Sequence, residues 1–220
     1  MKETLTRRIA TAVLLAGAFG ACVPALAQGD GETNRQLLAA AKDGDQQALA
    51  SALQRGAAVD SMNRIGDTAL ITACKKGDAA MARTLIERGA NVQHASAPGV
   101  TPLMAAAYGG FDEIVALLLA HGADPLATDR VGKTAMEYAA GEGRTKIVSR
   151  LLDAGVDVNR TYKNDLTALM WAAGYDRAET VQLLLARGAN RSLKDNRGMT
   201  AKDIAVQTKS DRVTGLLSAG

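Results

Sequence analysis

The side chains able to do acid–base, nucleophilic or metal chemistry are few in this sequence, and they do not converge. The two histidines, His94 and His121, lack the i, i+4 spacing that places two ligands on one helix face. No cluster of cysteine, histidine or carboxylate surrounds either, as a metal centre would require. His121 precedes Gly122 and is better read as a polar residue at a helix C-terminus, where the dipole favours it. Cys22 and Cys74 are the only cysteines. Cys74 occupies a slot filled elsewhere by Ala107, Ala140 and Ala173, so a small buried hydrophobe is expected there rather than a redox thiol. Carboxylates fall at turns and outward helix positions, and no glycine-rich phosphate cradle is present. The expectation is no catalytic residue, no metal, no cofactor and no enzyme. An active site arising between structural units is the alternative, since catalysis needs only that reactive groups converge in space.

The elements that would position these residues are set by a repeat. Thr68, Thr101, Thr134, Thr167 and Thr200 are spaced by 33 residues, and so are Gly56, Gly89, Gly122, Gly155 and Gly188. Ala73, Ala106, Ala139, Ala172 and Ala205 keep the same period. Segments such as Gly66-Asp67-Thr68-Ala69-Leu70 predict a turn followed by a helix start: glycine permits positive φ, and threonine caps the first free N–H groups. Pro102 suits a first helical turn. The recurring alanine lets helices approach closely. Paired aliphatics follow, as in Ile114-Val115 with Leu117-Leu118-Leu119, and a glycine then fits a left-handed C-cap. Helices this short are marginal alone, so each unit must hide its apolar face against the next. Residues 34–65 read as an N-terminal cap, 66–98, 99–131, 132–164 and 165–197 as four units, and 198–220 as a polar C-terminal cap.

Thr101-Pro102-Leu103-Met104-Ala105-Ala106-Ala107, with Ile114 to Asp124, resembles the ankyrin repeat over roughly residues 34–220. The resemblance implies an all-α solenoid of about six helix–turn–helix units joined by hairpin-like loops. Departures are Ile71, Met104, Glu137 and Met170 where the family often has histidine, and Asp165 and Asp176 where it has glycine. Aspartate tolerates a left-handed backbone better than most residues.

The resemblance also implies partner binding on a concave face, by residues before each threonine and at the end of each first helix. Carried onto this sequence, the first group is Arg64, Ile65, Asp67, Val100, Arg130, Val131, Lys133, Lys163, Asn164, Leu166, Asn196, Arg197 and Met199. The second is Lys75, Lys76, Tyr108, Glu142 and Tyr175. These phases vary between units while the threonine, alanine and glycine phases do not. Tyr138 and Trp171, one phase apart from that set, are expected as framework between helices. Basic residues outnumber acidic ones among the candidates, which favours a partner with an acidic patch.

Hydrophobic residues make up 47% and aromatic residues 3%, which suits many short, closely packed helices. Net charge is +3, but setting aside Lys2, Glu3, Arg7 and Arg8 leaves 23 basic and 22 acidic residues. So even a balance gives no reason to expect nucleic acid. The basic start, the uncharged run Ile9 to Ala27 and the ending Ala25-Leu26-Ala27 read as a cleavable signal over 1–27, with 28–33 a short linker. Gly17, Gly20 and Pro24 interrupt that run and argue against a membrane anchor. Phe19-Gly20-Ala21-Cys22 and Thr6-Arg7-Arg8 match a lipoprotein box and a twin-arginine signal only weakly. The expectation is an exported, monomeric protein-binding scaffold: periplasmic if the source is a Gram-negative bacterium, with no membrane association after cleavage. A secreted effector acting on a host protein is the alternative.

Overall fold

The structure, a computed structural model, describes residues 31–218. The expected signal segment, Cys22 and linker residues 28–30 lie outside the described residues.

Among the described residues six helix pairs follow one another: α1 (Gly31–Asp43) with α2 (Gln46–Gln54), α3 (Ala69–Lys76) with α4 (Ala79–Glu87), and α5 (Pro102–Gly109) with α6 (Asp112–Ala120). Then come α7 (Ala135–Gly141) with α8 (Thr145–Asp153), α9 (Ala168–Gly174) with α10 (Ala178–Ala186), and α11 (Ala201–Gln207) with α12 (Asp211–Ser218). Each odd-numbered, inner helix packs on the inner helix of the next pair, and from α4 onward the outer helices do the same. This is the expected all-α stack. Its first helix begins at Gly31, ahead of the expected cap boundary at 34.

The recurring residues act as their chemistry requires. Thr68 Oγ1 accepts from the Ile71 N–H at 3.2 Å, and Thr101, Thr167 and Thr200 repeat the bond at 3.3 Å. The five phased alanines have no exposed surface, and a larger side chain at any of them would separate the inner helices. Ile114, Val115 and Leu118 on α6, with Ile147, Val148 and Leu151 on α8, join them in one core running the length of the array. Cys74 is wholly buried there, and burial pushes its thiol pKa up, as expected of a packing residue. Asp165 and Asp176 take the left-handed backbone of the glycines they replace, at φ 58° and 55°. Lys209 does the same at φ 58° in the phase of Asp176.

Between the pairs, hairpin loops project as fingers. Neighbouring fingers bond through the backbone: Ala97 N–H to Ile65 O at 2.9 Å, Arg130 N–H to Pro98 O at 3.0 Å, and Asn196 N–H to Asn164 O at 3.0 Å. On the outer side, Arg83–Glu113, Arg150–Asp112, Arg187–Asp153 and Arg212–Glu179 ion pairs tie successive units. Three of these pairs are exposed and contribute about 1 kcal/mol each at most, while Arg150–Asp112 is half-buried and bidentate, with both bonds at 2.8 Å. Packing of the apolar faces therefore dominates.

Candidate partner-binding face

Three of the five fingers are folded by one side chain that accepts from two N–H groups of its own turn, and in the second Ser96 Oγ accepts from the Val100 N–H alone at 3.2 Å. Asn63 Oδ1 accepts from the Ile65 and Asp67 N–H groups at 2.9 and 3.0 Å. Asp129 does so from Val131 and Lys133, and Asp195 from Arg197 and Met199, all at 2.9 Å. Burial works against the Asp195 carboxylate, but the Met199 N–H and the guanidinium and N–H of Arg197 outweigh it and hold its pKa below the usual range. In the fourth finger this phase is Tyr162, which cannot bond its own turn in this way. That finger instead forms a short 3-10 turn, Lys163–Asp165, with Asn164 at φ 62°. No backbone bond joins the third and fourth fingers among the described residues.

Pinned this way, the fingertips present Arg64, Ile65, Arg130, Val131, Lys163, Asn164, Asn196 and Arg197 to solvent. Val100, Leu166 and Met199 are half-buried against the core, forming the base of the fingers. Asp67 is a correction: it is 5% exposed, and its carboxylate is bonded to Lys75 at 2.6 Å. It positions Lys75 rather than meeting solvent. At the inner-helix ends, Lys75, Tyr108 and Tyr175 are exposed, Glu142 is half-buried, and Lys76 donates to the Lys42 carbonyl.

Tyr138 and Trp171 pack against the core, as expected of framework residues, and also reach the surface. Both are half-buried, and their rings wall two surface cavities between inner helices. Tyr138 meets Tyr108 edge to face, with centroids 5.9 Å apart, beside a cavity of about 380 Å³ that Met104 and Val100 also line. Trp171 stacks on Tyr175 at 6.0 Å beside a cavity of about 360 Å³ shared with Met170, Ile204 and Arg197. Lys133 lies between the aromatic pairs, its Nζ 5.4 Å from the Tyr138 ring centroid and 4.3 Å from that of Trp171. Asp129 accepts from the Tyr138 hydroxyl; burial and that bond hold the phenol proton on. Beneath, Glu137 is 2% exposed and accepts from the Thr134 N–H at 2.8 Å. Burial, the largest influence, raises its pKa against the opposing pull of that N–H and of Lys133.

A readable signal did exist for these residues. Trp171 in α9 and Tyr175 at its C-cap are i, i+4, so they share a face. Tyr138, Trp171 and Ile204 share one phase with Thr72 and Ala105.

A family model described as ankyrin repeats (3 copies) matches residues 37–129, 89–162 and 136–220. The chain belongs to the ankyrin-repeat family. Ankyrin repeats are protein–protein interaction modules, so the exposed residues of the fingers and inner helices of this ankyrin array are its candidate contacts. No curated protein matches the chain. Among the described residues no group of His, Cys, Asp or Glu forms a metal cluster, and no helix is long and apolar enough to cross a membrane.

Proposed function

We propose that this ankyrin array is a non-enzymatic, extracytoplasmic scaffold that grips another protein on the concave face of its fingers and inner helices. The observation that carries the reading is the continuous file Tyr108, Tyr138, Lys133, Trp171 and Tyr175, in which side chains that vary between units meet one another on one surface. Exposed tyrosine and tryptophan are frequent interface anchors, because they bury much area with little loss of rotamer freedom. Export is supported by the sequence from Lys2 to Ala27. A mature N-terminus at Gln28, read by mass spectrometry of the envelope fraction, is the expected result.

Affinity capture from envelope extract tests the binding role. Wild-type chain should retain specific proteins that Tyr108→Ala and Tyr175→Ala lose. If both variants recover the same proteins as strongly as wild type, the binding face is elsewhere.

A further inference from the structure

The two aromatic-walled cavities, with a cation between them, form one spaced pattern, and its spacing defines a ligand. The first cavity opens between α5 and α7, the second between α9 and α11. Packed helix axes lie about 8–10 Å apart, so two helix intervals separate the cavities by about 16–20 Å. The Lys133 ammonium sits between them, over Tyr138 on one side and Trp171 on the other. It takes part in no ion pair among the described residues, unlike Lys75 and Arg197 at the two ends, which are bonded to Asp67 and Asp195.

An extended chain in the polyproline II conformation rises about 3.1 Å per residue with threefold symmetry, so residues i, i+3 and i+6 share a face and span about 19 Å. That span of about 19 Å lies within the separation of about 16–20 Å between the cavities, and i+3 falls at Lys133. A β-strand of similar span would turn i+3 to the opposite side. We infer that the face takes a polyproline II segment of a partner protein, with apolar side chains at i and i+6 in the two cavities and a carboxylate at i+3 on Lys133.

Charge supports this occupant. Arg130 and Lys163 stand exposed on the fingers flanking Lys133; of the acids here, Glu142 and Asp165 reach solvent, while Asp129 is buried and taken up by its own turn and the Tyr138 hydroxyl, and Glu137 is buried beneath. An acidic segment is therefore attracted and oriented, and a basic one opposed. The flat aromatic walls also suit proline-rich chain, whose conformation is already restricted before binding.

The inference rests on the inner-helix face being the binding surface, and it is tested with a synthetic probe, acetyl-Pro-Leu-Pro-Pro-Glu-Pro-Pro-Leu-Pro-amide. Trp171 is the only tryptophan, so its fluorescence reports the second cavity directly. Saturable quenching or enhancement is expected with this probe. Affinity should fall about tenfold or more when its Glu is replaced by Lys, when two residues between the leucines are deleted, or when the protein carries Lys133→Ala. Altering the peptide leaves the protein fold untouched, and thermal melts check the Lys133→Ala variant. Equal binding by the Glu and Lys peptides overturns the inference, as does tighter binding by a helical amphipathic peptide with the same leucines and glutamate but alanine in place of proline, or by a second copy of the chain. No binding by the probe, with capture still lost in Tyr108→Ala, overturns the inference alone. Capture unaffected by Tyr108→Ala and Tyr175→Ala overturns the reading beneath it.

Discussion

Replacing Asp129 by alanine should unmake the third finger. The Asp129 side chain is 8% exposed as a residue and serves three donors: the Val131 and Lys133 N–H groups and the Tyr138 hydroxyl. Hydrogen bonds to a charged group contribute about 1.5–3 kcal/mol each. Because the three share one carboxylate, and the fingertip amides regain water once the turn opens, the losses do not add. A destabilisation of about 2–4 kcal/mol is expected. Asp129→Asn keeps an oxygen for the two N–H groups, as Asn63 does in the first finger, and should cost about 1 kcal/mol or less. Tyr138→Phe removes the hydroxyl alone, and a double-mutant cycle with Asp129→Asn isolates that bond. Urea unfolding followed by circular dichroism, with Trp171 fluorescence in parallel, reads all of these and shows whether the array unfolds as one unit. If Asp129→Ala lies within about 0.5 kcal/mol of wild type, or Asp129→Asn is equally damaging, the side chain does not organise the finger as argued.

Other substitutions test separate links. A Cβ at Gly99, where φ is 86°, would lie 2.8 Å from the Arg130 nitrogen, whereas at Gly122, φ 82°, it meets open space. Gly99→Ala should therefore lower the urea midpoint clearly more than Gly122→Ala, whose cost is backbone strain of about 1–2 kcal/mol. Glu137 has its pKa raised by burial, so the folded state favours its protonated form. Its contribution is present below the ordinary glutamate value and is lost as pH rises through the raised one. Glu137→Gln should match or exceed wild-type stability at pH 7, with the advantage vanishing by about pH 4. Asp195 has the opposite sign: its depressed pKa gives stability above the ordinary aspartate value that is lost as pH falls through the depressed one. Asp195→Asn should accordingly flatten the acid limb of a stability–pH curve measured by urea midpoint.

The architecture was legible because each repeated residue answers a local demand that its neighbours do not alter. Threonine caps, alanine permits close approach, and Asp165 and Asp176 were recognisable as glycine substitutes. Lys209 was not, since a long cation gives no local signal for a left-handed backbone. The site was legible only as a set of phases. Whether a side chain at a given phase reaches the surface depends on its length and on the helix beside it. Thr72 and Ala105 also line surface cavities, but only Tyr138 and Trp171, in the same phase, are large enough to reach across and meet Tyr108, Tyr175 and Lys133. Asp67 fails in the opposite sense: its phase faces outward in the loop, but Lys75, one helix length away, folds over it. The finger acceptors Asn63, Asp129 and Asp195 carry no sequence signal, because their partners are N–H groups of their own turn, which residue spacing alone does not reveal.

The central claim, that the face of fingers and inner helices is the one a partner grips, is tested most directly by site-specific photocrosslinking in the living cell. A photoreactive residue replaces Arg130, Tyr108 or Tyr175 on that face, or Arg83 or Gln182 on the outer helices. The account predicts a discrete higher-mass adduct from the first three positions and none from the last two. An adduct formed from Arg83 or Gln182 alone would contradict it.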